Sequence, residues 1–276
     1  LVLASRGSHS IYSHRLPGPD EEPLFHHHES LYRFVLKATA TDPIDRFESA
    51  DEMAEQLAGI LREEAAARGE AHPAVSTVFE PGGVVGAGAH EVGPDWRLLP
   101  SPKVDVLDPG VGVLLGLADG EPAAVVATLT SALVSGSVPA TPETLLRLAR
   151  AHLDASMPED AAATLDRLGD DRDWRLWWHR GLTALAQGWA TEAVDWLDAV
   201  YTELPGEVPA KLALALAHEQ AGDLARSAGL YDTASRTDPS YVSGGFGLAR
   251  VRVALGDREV AVDALGRVPA ASSAHV

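Results

Sequence analysis

LALAHEQAGDLARSAGLYDTA, residues 214–234, sets two runs of apolar and small residues on either side of Gly222. Within each run these residues recur at three- and four-residue spacing, the period of an amphipathic helix, and a glycine between two helices can take the positive φ at which helices end. The stretch therefore reads as two helices joined by a tight turn. The same pattern returns in LARAHLDASMPEDAAATLDRL from Leu148, RGLTALAQGWATEAVDWLDAV from Arg180 and LARVRVALGDREVAVDALGRV from Leu248, so that the four starts lie 32 to 34 residues apart. Ala149, Gly181, Ala215 and Ala249 hold the second position of each copy, where two helices have to approach closely. Seven residues on come Ser156, Gly188, Gly222 and Gly256 at the turn. Ala161, Ala193, Ser227 and Ala261 keep the second helix close to the first, and Leu165, Leu197, Tyr231 and Leu265 are expected to fill the larger hole beyond. Pro205 and Pro239 end the second helix of repeats two and three.

A repeat of this length made of helical hairpins marks a solenoid. The spacing resembles the tetratricopeptide repeat (TPR) over about residues 143–269, and the fold class expected is mainly α. In one respect the copies depart from that pattern. The first-helix position that usually holds an aromatic is His152, Ala184, His218 and Arg252, so the groove is expected to be lined differently from a peptide-binding consensus, and a scaffold or subunit interface is favoured over peptide capture.

Outside the repeats, the chain divides into residues 1–66, 67–108 and 109–142. In the first, residues 29–40 follow a helical pattern, and Ser49 with Glu52 three residues later forms a capping box opening a helix to about residue 66. Met53, Leu57, Ile60 and Leu61 lie on one face of that helix and are expected to pack on residues 29–40. The second part is rich in Gly, Pro and Glu and reads as an irregular linker with a short strand at 75–79. The third gives two helices, 110–117 and 122–135, as a hairpin leading into repeats assigned to 143–276.

The balance of 22 basic against 40 acidic residues, net −18, disfavours nucleic acid and anionic membrane surfaces. Without cysteine there are neither disulfides nor thiolate metal sites, and the default compartment is cytoplasmic. No apolar run reaches transmembrane length. His26, His27 and His28 diverge on a helix and read as a polar lead into the helix at Glu29 rather than a metal site. Asp20, Glu21 and Glu22 read as a solvated loop, and GGVVGAGAH, residues 82–90, as flexible linker lacking the G-x-G-x-x-G pattern. Trp174, Trp177, Trp178, Trp189 and Trp196 crowd repeat two, where core packing accounts for most of them and an exposed one could anchor a partner.

Asp42, Pro43, Arg46 and Phe47, in DPIDRF before the capped helix, resemble the end of the C-lobe of a eukaryotic-like protein kinase. Followed by an irregular segment and TPRs, this order resembles the protein kinase G (PknG-like) family of actinobacteria. The resemblance continues through HPAVSTVFEP (72–81), LLPSPKVDVLDP (98–109), LPGEVPAKLALA (204–215) and GGFGLARVRVALGDREVAVDALGRVP (244–269).

What the resemblance implies is a serine/threonine protein kinase using ATP and magnesium, joined to a rubredoxin-like metal module. It implies further a substrate of the forkhead-associated type that adjusts glutamate and central carbon metabolism, and a homodimer through the repeats. It also implies that Arg46 lies buried and pairs with a glutamate that would precede Leu1. Lacking that partner, residues 1–66 are expected to be loosely folded. The sequence holds no G-x-G-x-x-G loop, HRD-x-x-x-x-N, DFG or APE, so no catalytic, cofactor or metal residue is assigned and the chain alone is expected to be inactive. The alternative is a stand-alone TPR adaptor that binds a peptide or partner helix. After Pro269 no amphipathic helix follows to cover Val251, Leu255, Val260 and Leu265, so either the chain continues beyond Val276 or that face is expected to lie against a second copy.

Overall fold

The computed structural model describes residues 16–81, 94–117, 120–169 and 172–269. The residues 82–90 and those after Pro269 lie outside this set. Every regular element among the described residues is a helix.

The repeats are four hairpins: α6 and α7 (Pro142–Asp154, Pro158–Asp166), α8 and α9 (Trp174–Gln187, Ala190–Glu203), α10 and α11 (Val208–Ala221, Leu224–Thr237), α12 and α13 (Val242–Ala254, Arg258–Gly266). Their turns are made as expected. Gly188, Gly222 and Gly256 take φ of 76°, 83° and 88°, and Ser156 adopts the same left-handed conformation at 61°. The small positions are buried throughout, and at Gly181 the reason is visible: a Cβ there would stand 2.6 Å from Leu197. Leu165, Leu197 and Tyr231 fill the space beyond, but Leu265 is 42% exposed. It belongs to the last described hairpin, where no other described helix covers it, and Ala264 turns inward instead.

The leading hairpin forms as α4 (Val111–Gly116) and α5 (Pro122–Ser135), with α5 packed on α6. Upstream lie α1 (Pro23–His27), α2 (Glu29–Ala38) and α3 (Ala50–Ala67). Ser49 caps α3 by accepting from the amide of Glu52 at 3.0 Å, and the Glu52 carboxylate reaches back to the Glu48 amide at 2.6 Å. Of the face α3 is expected to bury, Ile60 alone is buried. Gln56, Gly59 and Ile60 are buried, whereas Met53, Leu57 and Leu61 are exposed. The partner is not α2 alone but α11 and the α9–α10 loop, whose backbone comes so close that only a small residue fits. Residues 75–79 form no strand, only an isolated antiparallel bridge between Phe79 and Pro102. The linker is nonetheless fitted to the repeats, because Phe79, Trp96 and Leu99 are all buried in the core cluster of α8 to α12.

In the middle of this core sits His179 on α8, its Nδ1 donating to the Arg175 carbonyl at 2.7 Å. Burial pushes its pKa from 6.5 down to about 4. The unfolded chain therefore takes up a proton near pH 6.5 that the folded chain refuses until about pH 4, so stability is full above 6.5 and falls as pH drops through this window. The loss is on the order of 3 kcal/mol. His152 and His218 are shifted in the same direction, again by burial. Urea midpoints measured between pH 7 and 4 should fall, and should fall less steeply in a His179→Gln variant; an unchanged slope would contradict this assignment.

Candidate functional site

Among the described residues, α2 and α3 make an elaborate contact with α9, α10 and α11 of repeats two and three. At its centre two glycines meet backbone to backbone, since a Cβ on Gly59 would lie 2.2 Å from the Gly206 oxygen and one on Gly206 would lie 2.3 Å from the Gln56 oxygen. Gln56 uses its side-chain oxygen to accept from the Gly206 amide at 2.8 Å, which satisfies a donor of the buried α9–α10 loop.

Around this contact three cations cross the seam. Arg33 on α2 donates to both carboxylate oxygens of Asp198, at 2.5 and 3.2 Å, and to Thr202 at 2.5 Å, while its other edge is held by Glu29 of its own helix at 2.8 Å. Lys37 donates to Glu52 on α3 at 2.8 Å and to Glu203 on α9 at 2.6 Å. Lys211 on α10 is fully buried, donates to the Pro205 carbonyl at 2.6 Å and pairs with Glu63 on α3 at 3.2 Å. Glu63 also accepts from the Ser30 hydroxyl at 2.7 Å, so the Tyr201 hydroxyl, 2.7 Å from Ser30, donates to it. Arg33 stacks 4.3 Å from the centre of the Tyr201 ring and Lys211 5.0 Å from it.

Each buried charge thus has more than one partner, the condition under which burying it is tolerable; removing one partner of such a pair costs about 3–5 kcal/mol. Glu29 accepts from Arg226 on α11 as well as from Arg33. Burial pushes its carboxyl up, but the hydrogen bond and charge of Arg226, with those of Arg33, outweigh this and hold it below the ordinary value. Burial drives the Tyr201 hydroxyl far above its usual range, aided by Glu63 and Glu29, so it is a permanent donor.

The residues singled out in the sequence are only partly in this seam. Asp42 caps the 3₁₀ turn Pro43–Asp45 by accepting from the Ile44 amide at 3.1 Å. Phe47 is half-buried, 5.1 Å from Phe34, with Lys37 Nζ 4.5 Å above its ring. Arg46 is exposed and clasps its own loop, donating to the carbonyls of Ala40 at 2.8 Å and Thr41 at 3.4 Å. It is therefore not an unpaired buried charge, and the loose packing expected on that ground does not follow; α2 and α3 are instead tied to α9, α10 and α11.

Among the described residues no three His, Asp or Glu side chains gather as a metal site. His27 donates to the Pro23 carbonyl at 2.7 Å and His28 pairs with Glu64, so the histidine run diverges. Glu22, read as part of a solvated loop, is buried and caps α1. Sequence reasoning passed over Arg33, Lys37, Tyr201, Gly206 and Lys211. Two traces of them are visible: one lysine ahead of the otherwise apolar run LALALA, and a glycine set between the proline at 205 and the helix it precedes.

A second contact covers α8. Phe79 packs between Trp174 and Trp178, its ring 5.1 and 4.8 Å from theirs, while Trp96 carries Arg97 at 4.6 Å and Arg150 at 5.5 Å over its face. Of the tryptophans of repeat two, Trp178 is fully buried and Trp189, at the α8–α9 turn, is 54% exposed.

The family model for the protein kinase G tetratricopeptide repeat matches residues 93–276. The serine/threonine-protein kinase PknG of Mycolicibacterium smegmatis is 33% identical over 299 residues, covering 99% of this chain and 39% of that protein. PknG of Mycobacterium leprae is 34% identical over 300 residues with the same coverage. The chain thus spans 39% of the length of these curated relatives. Among solved structures, MamA 41-end from Desulfovibrio magneticus RS-1 is 18% identical with a TM-score of 0.49, covering 57% of this chain and 90% of that one.

Because the Gly59–Gly206 contact leaves no room for a methyl group, Gly59→Ala should separate α3 from the α9–α10 loop while leaving the repeats folded. Hydrogen exchange is expected to quicken by roughly tenfold or more across α2 and α3, the effect of losing more than about 1.4 kcal/mol, and to hold steady in α8 to α12. Equal protection of α3 in both proteins would show that the contact carries no energy.

Proposed function

The chain belongs to the protein kinase G tetratricopeptide repeat family, and on that premise we propose that it is the C-terminal portion of a PknG-like serine/threonine protein kinase. Its repeats bind proteins in this reading: they hold the end of the kinase domain, pair with a second copy and dock a substrate or regulator of the forkhead-associated type. The observation that carries the reading is the seating of α2 and α3, which flank the DPIDRF stretch, on repeats two and three through Arg33, Lys37 and Lys211. A free-standing adaptor has no use for that helical pair.

ATP and magnesium belong in this proposal to the rest of the kinase. The present sequence offers neither a glycine-rich phosphate loop nor the aspartates that hold the metal, so no step of phosphoryl transfer is assigned to its residues. A cytoplasmic location is part of the same proposal, supported by the cysteine-free composition.

Pairing with a second copy rests on the last hairpin. Of the face expected to need a cover, Val251 is buried within the chain, whereas Leu255, Val260 and Leu265, with Val253 and Val262, are all more than a third exposed, and an apolar face of this kind on a repeat needs a cover. Light scattering across a tenfold concentration range should show a dimer that Val262→Asp weakens; a monomer at every concentration would defeat this part of the proposal. Incubation with labelled ATP and an acceptor protein should leave the acceptor unlabelled, and stoichiometric transfer would overturn the assignment of catalysis to the remainder of the enzyme.

A further inference from the structure

Residues 76–79 lie on α8 in the manner of a bound peptide rather than of a packed element. Their backbone bends at Thr77 and Val78, where the Ser76 hydroxyl accepts from the amides of Val78 and Phe79 at 3.2 and 2.9 Å, and then pairs with residues 101–103, the Glu80 amide donating to the Ser101 carbonyl at 2.8 Å and the Lys103 amide to the Val78 carbonyl at 2.9 Å. Val78 packs half-buried against the repeat core, and Phe79 enters it fully. Phe79 is 1% exposed between Trp174 and Trp178, whereas Val75, Thr77 and Glu80 face solvent. Polar ties on the rim hold the segment in register: Thr77 donates to Glu55 at 2.6 Å, Lys103 to the Ser76 carbonyl at 2.7 Å, and the Ser76 hydroxyl bonds Glu207.

The fit is incomplete at one atom. Trp178 is wholly buried, yet its indole N–H finds no acceptor among the described residues. Buried donors are paired almost without exception, and one left unpaired next to Phe79 points to an occupant that supplies what this segment does not.

We propose that residues 76–79 are a self-ligand, holding the aromatic face of α8 for a partner protein that presents a short segment with one aromatic anchor and a hydrogen-bond acceptor within reach of Trp178 Nε1. The partner's aromatic ring takes the place of Phe79 between the two tryptophans, and its acceptor takes the indole proton. This inference rests on the reading of the repeats as protein-binding, but not on their pairing with a second copy or on their attachment to a kinase.

The test uses the full chain and a synthetic peptide of residues 71–81, AHPAVSTVFEP. Removing the internal competitor by Phe79→Ala should make the chain bind this peptide roughly tenfold or more tightly than the unaltered chain does, since an intramolecular occupant sets a high effective concentration. The same peptide with alanine for phenylalanine should fail to bind. Should Phe79→Ala prove poorly folded by circular dichroism, the unaltered chain suffices: excess peptide should accelerate exchange of the Glu80 and Lys103 amides, which are protected only while the segment is seated. Amide exchange unmoved by saturating peptide, or equal binding of both peptides, would overturn the proposal. So would a change in molecular mass on Phe79→Ala, because it would show the segment exchanged between two copies. None of these readings depends on the light-scattering result for the unaltered chain, so either idea can fail without the other.

Discussion

A leucine side chain that stands 2.6 Å from where a methyl group on Gly181 would be leaves α8 and α9 only one way to approach each other, and the surfaces of repeat two are set from that contact. Leu197 is fixed against the glycine, so the residues that follow it on α9 are fixed in direction. Leu197 and Val200 point into the core, and Asp198, Tyr201 and Thr202 come round to meet α2. The two-armed grip of Arg33 on Asp198 needs both carboxylate oxygens in register with one planar guanidinium, a geometry that tolerates little displacement. A bulkier residue at 181 would shift α9 along or away from α8, and its first consequence would be felt in the seam rather than in the core.

The chemistry of that seam follows from the composition. A chain with net charge −18 has carboxylates in excess to meet its buried cations, and the four at the seam, Arg33, Lys37, Lys211 and Arg226, bring together Glu29, Glu52, Glu63, Asp198 and Glu203. The acidic excess that repels polyanions is thus the resource from which the docking is built. Burying such charges gains little net stability compared with apolar packing, but a wrong register would leave one of them unpaired. The seam therefore specifies where α2 and α3 sit more than it strengthens their attachment, which matches the polar character of interfaces between parts of one chain.

The repeats were legible because their causes are local. A left-handed turn residue seven positions after a small residue appears within twenty residues of sequence, and the geometry at Gly188, Gly222 and Gly256 follows from it. The face of α3 was not legible by the same means. Amphipathic reading supposes that a helix buries its most apolar stripe, and it chose Met53, Leu57, Ile60 and Leu61, of which only Ile60 is buried; the partner at Gly206 is bare backbone, which calls for a glycine and an amide instead. Phe79 was hidden for another reason, since the two tryptophans that enclose it lie nearly a hundred residues later. Arg46 shows how far a motif can be carried: DPIDRF identified the neighbourhood, but the burial attached to its arginine did not come with it, because here the guanidinium meets the carbonyls of its own loop.

The two layers of the solenoid are both in use within one chain, and they differ in what releasing their occupants would demand. Against α9, α10 and α11, α2 and α3 are held by buried charges whose partners would each be stranded if the other left. Against α8, residues 76–79 contribute one fully buried side chain, and the tie of Thr77 to Glu55 lies where water can replace it. Water exchanges readily for a rim hydrogen bond but cannot neutralise a lysine left inside the protein. Displacement is therefore cheaper for residues 76–79 on α8 than for α2 and α3 on α9, α10 and α11.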